Sequence, residues 1–190
     1  MNNSNGAVRE VIETLFENAS KDVFSPVGLS LEKVTHDASI CDKQIIGDSV
    51  LSVLSASGNG IKILSSINAN FTTLKNLFPH GDSPTSDELR DWCGELNNQL
   101  VGAAKNHMLA YDCKVLMGLP TLIQGENLAS VNSNDAVVSK RTFSCEKGEI
   151  ITYLSTVIEP EFEIRDEPDE SLTGLTLSLI HISEPTRRHL

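Results

Sequence analysis

A chain of 190 residues, 39% hydrophobic and 22% charged, is long enough for one ordinary domain and apolar enough to bury a core. Its 15 basic residues against 26 acidic ones leave a formal charge of -11, which argues against the cationic surface that nucleic acid or an anionic membrane demands. No apolar run approaches the ~20 residues that cross a bilayer, and Met1–Gly6 has neither the cationic nor the apolar part of a secretory leader, so the expected location is cytoplasmic.

Val8, Ile12, Leu15, Phe16 and Ala19 recur at helical spacing, with Glu10, Glu13 and Glu17 on other faces, which predicts an amphipathic helix over 6–20. The pattern changes after Ser25-Pro26. Val50–Leu54 and Ile61–Leu64 are β-rich runs around Gly58-Asn59-Gly60 and predict a hairpin. Phe71, Leu74, Leu77 and Phe78 predict a short helix over 69–78, ending before Pro79. Thr85 followed by Glu88 is a capping-box pattern. Behind it, Leu89, Trp92, Cys93, Leu96, Leu100, Ala103, Ala104, Met108 and Leu109 trace one apolar stripe, and so predict a long helix over 86–110. Lys114–Met117 and Leu122–Ile123 flank Pro120 and predict an edge-type strand. Val137–Cys145 and Glu149–Ile158 around Glu146-Lys147-Gly148 predict a second hairpin.

The end of the chain changes character. Seven acids against Arg165 lie between Glu159 and Glu170, and like charges so crowded repel and favour solvation, so 161–176 is expected to be an acidic, disordered tail behind a domain over 1–160. The stretch Leu177–Arg187 resembles the in-frame translation of a sequencing-library adaptor, and residues 177–190 are set aside from fold and function on that ground.

The usual self-contained chemistries are missing. Cys41, Cys93, Cys113 and Cys145 lie far apart with no C-x-x-C pair, and the five histidines form no H-x-x-x-H pair, so buried thiols are expected and no metal site. There is no G-x-S-x-G, P-loop or G-x-G-x-x-G. On the long helix, 100° per residue aligns Asp91, Glu95, Asn98, Gly102 and Lys105 opposite the apolar stripe. Glu95 and Asn98, three apart, stand side by side, while Asn97 is turned about 100° away and is expected to be a neutral control for Asn98. A mid-helix glycine costs roughly 1 kcal/mol against alanine and leaves room for another backbone to approach. The same line also describes an ordinary solvated face, since E-x-x-N is a common spacing.

Gly94–Lys105 (GELNNQLVGAAK) resembles the signature helix of the CheX/CheC/FliY phosphatases of bacterial chemotaxis: Glu-x-x-Asn, then a glycine, then a lysine. Leu119-Pro120-Thr121-Leu122-Ile123-x-Gly125 resembles the same family's Pro-Thr strand with its trailing glycine, and the resemblance extends over residues 8–158. Ala104 departs from it, standing where many members have asparagine. The first helix offers Glu10-x-x-Glu13, Glu13-x-x-Phe16 and Glu17-x-x-Ser20, none with asparagine, and a single Glu-x-x-Asn site looks like the CheX branch.

The resemblance implies an α/β (α+β) fold, a mainly antiparallel sheet covered by two long helices. It implies hydrolysis of the phospho-aspartate on a CheY-like receiver domain. Asn98 would orient the attacking water, Glu95 would dock on the receiver's lysine, and Asp91, Gly102 and Lys105 would bind the partner. Mg²⁺ would sit on the receiver, with no cofactor in this chain, and two copies would dimerise through their sheets. The alternatives are a CheX-like module that binds a receiver or a flagellar or chemotaxis component without hydrolysis, and an unrelated structural α/β domain.

Overall fold

The computed structural model describes residues 3–36, 45, 47–58, 60–79, 83–126, 128 and 136–173. Helix α1 (Asn3–Phe24) runs past the predicted 6–20 at both ends and stops where Ser25-Pro26 begins a 3-10 turn, because proline has no amide to donate. Its stripe of Val8, Ile12, Leu15, Phe16 and Ala19 is buried. Strand β1 (Ser30–His36) follows, where the sequence predicts no element. Its register shifts between Leu31 and Lys33, so period-two alternation is broken, and its charged residues suit a sheet edge.

Strands β2 (Asp48–Gly58) and β3 (Ile61–Asn70) form the first expected hairpin, closed through Gly60 at φ 85°, a left-handed conformation that favours glycine. Helix α2 (Phe71–Leu77) is capped by Asn70, whose Oδ1 accepts from the Thr73 amide at 2.7 Å. Helix α3 (Ser86–Leu109) begins with both halves of the capping box: the Thr85 amide donates to Glu88 Oε2 at 2.8 Å and the Glu88 amide to Thr85 Oγ1 at 3.3 Å. The predicted edge strand is two strands, β4 (Val115–Met117) and β5 (Thr121–Glu126), both antiparallel to β2 and separated by residues 118–120. Pro120 cannot donate to a ladder, which accounts for the break. Strands β6 (Val137–Cys145) and β7 (Gly148–Ile158) form the second hairpin.

All seven strands of the described residues join one antiparallel sheet in the order β1-β6-β7-β3-β2, with β4 and β5 sharing the outer edge of β2. Both long helices cover one face, so the expected fold class holds. Val50, Leu54, Ile63, Ile67, Ile150 and Leu154 meet the α1 and α3 stripes in the main core. The opposite face carries a smaller cluster of Ile45, Val138, Ile151 and Tyr153.

Two polar features of this layer depart from the sequence expectations. Glu13 does not stand on an outer face. It is buried against β6, where its carboxylate pairs with the fully buried Arg141 and accepts from Ser139 Oγ at 2.7 Å. The acidic segment after β7 is not a solvated run either. Phe162 and Ile164 pack on the main core, the Arg165 amide donates to Tyr111 O at 3.1 Å, and the Asp169 amide donates to Ala110 O at 2.8 Å. Helix α4 (Glu170–Thr173) closes the described chain. The acids alternate with apolar residues there, so one side packs while the carboxylates face water. Residues 174–190, with the adaptor-like stretch, lie outside the described residues.

Candidate functional site

The site residues all sit on α3, and its packing sets which of them can meet a partner. The apolar stripe is buried as expected, except that Trp92 and Leu109 are half-buried. Trp92 packs edge-on against Phe78, ring centroids 5.6 Å apart. The buried face is wider than the stripe, however, because Gly94, Asn97 and Val101 belong to it. A Cβ at Gly94 would come within 3.2 Å of Leu122 Cδ2, so this glycine lets the helix lie close on β5.

Asn97 is therefore no neutral control. It is fully buried, at 0% exposure. Its Nδ2 donates towards Ser52 O at 3.1 Å, Ser52 Oγ at 3.2 Å and Ser65 O at 3.3 Å. Its Oδ1 accepts from Ser65 Oγ at 2.8 Å. Asn97 follows the buried Cys93 by one helical turn and so shares its face. The polar side chain disguises a core position, and the serines that meet it from β2 and β3 carry no mark in the sequence that ties them to this helix.

The outer line is laid out as the spacing predicts. Asp91 and Glu95 are exposed, and Asn98, Gly102 and Lys105 are half-buried. Glu95 Oε1 accepts from Gln99 Nε2 at 3.0 Å, a contact along the same helix that leaves the rest of the carboxylate to solvent. Among the described residues, the Asn98 amide and the Lys105 ammonium have no hydrogen-bond or ion-pair partner. Nothing lies within 4 Å of a Cβ built at Gly102, so the helix is bare there. The five residues thus form one continuous outward strip: two carboxylates, an uncharged amide one turn beyond the second, a gap, and a cation.

A strip of this kind has no nucleophile. Two of the thiols are buried as expected and out of reach: burial pushes Cys93 up to about 12 and Cys113 up to about 11, so both stay protonated. Cys145 is only half-buried, on β6 and not on this strip, and Cys41 lies outside the described residues. Among the described residues no group of three or more His, Cys, Asp or Glu side chains is placed to hold a metal ion. No described helix is long and apolar enough to cross a membrane. What the strip can do is present a hydrogen-bonding amide and a charge to chemistry carried by another molecule.

No family model matches this chain, and no curated protein matches it significantly. Solved structures do match. A CheC-like superfamily protein from Shewanella sp. PV-4 is similar at TM-score 0.66 and 19% identity, over 83% of this chain and 99% of that one. The chemotaxis protein CheX from Vibrio vulnificus is similar at TM-score 0.66 and 17% identity, over 77% and 99%. A CheX from Borrelia burgdorferi, solved in complex with CheY, BeF3 and Mg²⁺, is similar at TM-score 0.53 and 20% identity, over 80% and 97%. The fold is that of the CheX/CheC-like chemotaxis proteins, as the resemblance of the α3 and β5 segments implies.

Proposed function

We propose that the chain is a CheX-like phosphatase that accelerates loss of phosphate from the phospho-aspartate of a CheY-like receiver domain. The observation that carries this reading is the pairing, on one outward face of α3, of the exposed Glu95 with an Asn98 amide that has no partner among the described residues. The Borrelia CheX is bound to a CheY, and the same kind of partner suits this strip.

An acyl phosphate is already activated, and the receiver brings the Mg²⁺ and the lysine that neutralise its phosphoryl oxygens. What this chain adds is position. The Asn98 side-chain oxygen accepts a hydrogen bond from a water and holds it in line with the phosphorus. As the water oxygen bonds to phosphorus, the bond from phosphorus to the aspartyl oxygen breaks. The receiver regains its carboxylate and inorganic phosphate leaves. A carboxylate in place of the amide would set negative charge against the phosphoryl oxygens. Glu95 pairs with the receiver's lysine and fixes the approach so that Asn98 enters the site. Asp91 and Lys105 extend the contact along the helix, and the bare Gly102 admits the partner's backbone.

The protein acts as a homodimer in this reading, joined through the sheet. Leu116 and Ile123, 79% and 42% exposed, lie on the outer strands β4 and β5 and support it.

The test is the decay of phosphorylated CheY-like receivers, timed with and without the protein. Asn98→Ala should slow phosphate release ~10²-fold or more, the scale of lost positioning, and leave the melting temperature within about a degree because the amide supports no described contact. Asn98→Asp should be no better. Full activity in Asn98→Ala removes the mechanism, and capture of a receiver with no phosphate release points to the non-catalytic module.

A further inference from the structure

The apolar contact between α3 and the sheet holds the helix down without saying where along its axis, or at what rotation, it must rest. Burial of Leu89, Leu96 and Leu100 is favourable over a range of small slides, because the hydrophobic term has no direction. Asn98 lies on this helix, and its aim depends on that choice. A buried amide behaves differently. Its donors and acceptor must each find a partner in the dry interior, which allows one arrangement and penalises its neighbours. A single buried asparagine sets register between coiled-coil helices in this way.

Asn97 meets those conditions at the position next to Asn98. Its side chain reaches two strands at once, Ser52 on β2 and Ser65 on β3. In the ladder Ser52 faces Ile67 and Leu54 faces Ser65, so the two serines lie diagonally across the hairpin. A slide of α3 in either direction would lengthen bonds to one of them. Cys93, one turn earlier, also lies against the backbone of Ser52, which puts two successive turns of the helix over the same residue.

We propose that Asn97 is the register key of α3, a positioning residue that locks the helix to β2 and β3 and thereby aims Asn98 at the phosphoryl group. This rests on the phosphatase reading for its consequence, but the register itself is a property of the fold. The role is distinct from stabilisation, and a combined variant separates the two. Asn97→Leu together with Ser52→Ala and Ser65→Ala removes every polar side-chain partner at once and fills the space with carbon. Replacing both sides of a buried hydrogen bond with apolar groups is near neutral for stability.

The combined variant is expected to melt close to the wild type, while its crystal structure shows α3 displaced against β2 by about 1 Å, enough to lower kcat for phosphate release ~10²-fold. KM should change little, because the longer Glu95 side chain can follow its partner. Ser65→Ala alone, which leaves Asn97 Oδ1 without its donor, is the milder companion and should shift both readouts in the same direction should the combined variant fail to fold. An α3 that stays in place overturns the inference whatever the rate does, and so does a displaced α3 with undiminished kcat. If the wild-type protein accelerates no receiver, the phosphatase reading fails on its own evidence, and the crystallographic displacement still decides the register.

Discussion

The two long helices lie on the same face of one sheet, yet they dispose of their glutamates in opposite ways. On α1, Glu13 is 9% exposed and its carboxylate is taken up by Arg141 and Ser139. On α3, Glu95 is exposed, and among the described residues its hydrogen-bond partner is Gln99 of its own helix. The residue three places further on differs too: Phe16 is buried on α1, whereas Asn98 stands half-open on α3. A glutamate at helical spacing is thus an anchor or a probe according to the face it occupies. The α1 carboxylate spends Oε2 on Arg141 and Ser139 inside the fold, whereas the α3 one stands open to solvent.

The sharpest way to break this comparison is Glu13→Ala. It strands the Arg141 guanidinium in the interior, and removal of one partner of a buried pair costs about 3–5 kcal/mol, or a fall of ~10 °C in a domain of this size. A thermal melt within about two degrees of the wild type would show that the pair anchors nothing. Glu95→Ala should leave the melt unchanged and lower kcat/KM for phosphate release ~10-fold at low salt, with the deficit narrowing as salt rises, since the interaction it removes is screened. A deficit independent of salt would count against docking by charge. The smallest effect is expected at Gly102→Ala. With nothing near the new methyl group, the variant should gain ~1 kcal/mol from helix propensity and melt a few degrees higher, while receiver affinity falls because the methyl group fills the gap that a partner would use. A stabilised variant with undiminished affinity would make Gly102 a plain solvated position.

Much of this is legible in the chain itself. Thr85 and Glu88 mark the start of α3 because a capping box is local, needing only residues three apart. The two hairpins are legible for the same reason, since Gly60 and Gly148 close them within the run. The outer strip of α3 follows from helical geometry, which places Asp91, Glu95, Asn98, Gly102 and Lys105 in line whatever they pack against. The parts that escape depend on distant partners. Asn97 and Glu13 look like surface residues until Ser52, Ser65, Ser139 and Arg141 are brought to them across the fold. Phe162 and Ile164 are hidden among acids that outnumber them, and it takes the Gly60 turn, against Phe162, and the start of α1, beside Ile164, to give them somewhere to go. Strand β1 escapes because its shifted register erases the alternation that identifies a strand.

The strand order bears on how the molecule is made. Strands β1 and β2 are neighbours in the chain but sit far apart in the sheet, and each inner partner arrives late: among the described residues β1 pairs with β6 alone, and β3 meets β7 on its open side. A ribosome that has delivered everything through β5 has released a hairpin with its outer strands and both long helices, but no partner for β1 and none for the free edge of β3. Those unpaired edges are the surfaces on which nascent chains associate wrongly, and they close only when the β6–β7 hairpin inserts between them. The β6–β7 hairpin is made after every other strand of this sheet yet lies inside it, so folding during translation should depend on residues 137–158 more than on the helix that carries the candidate site.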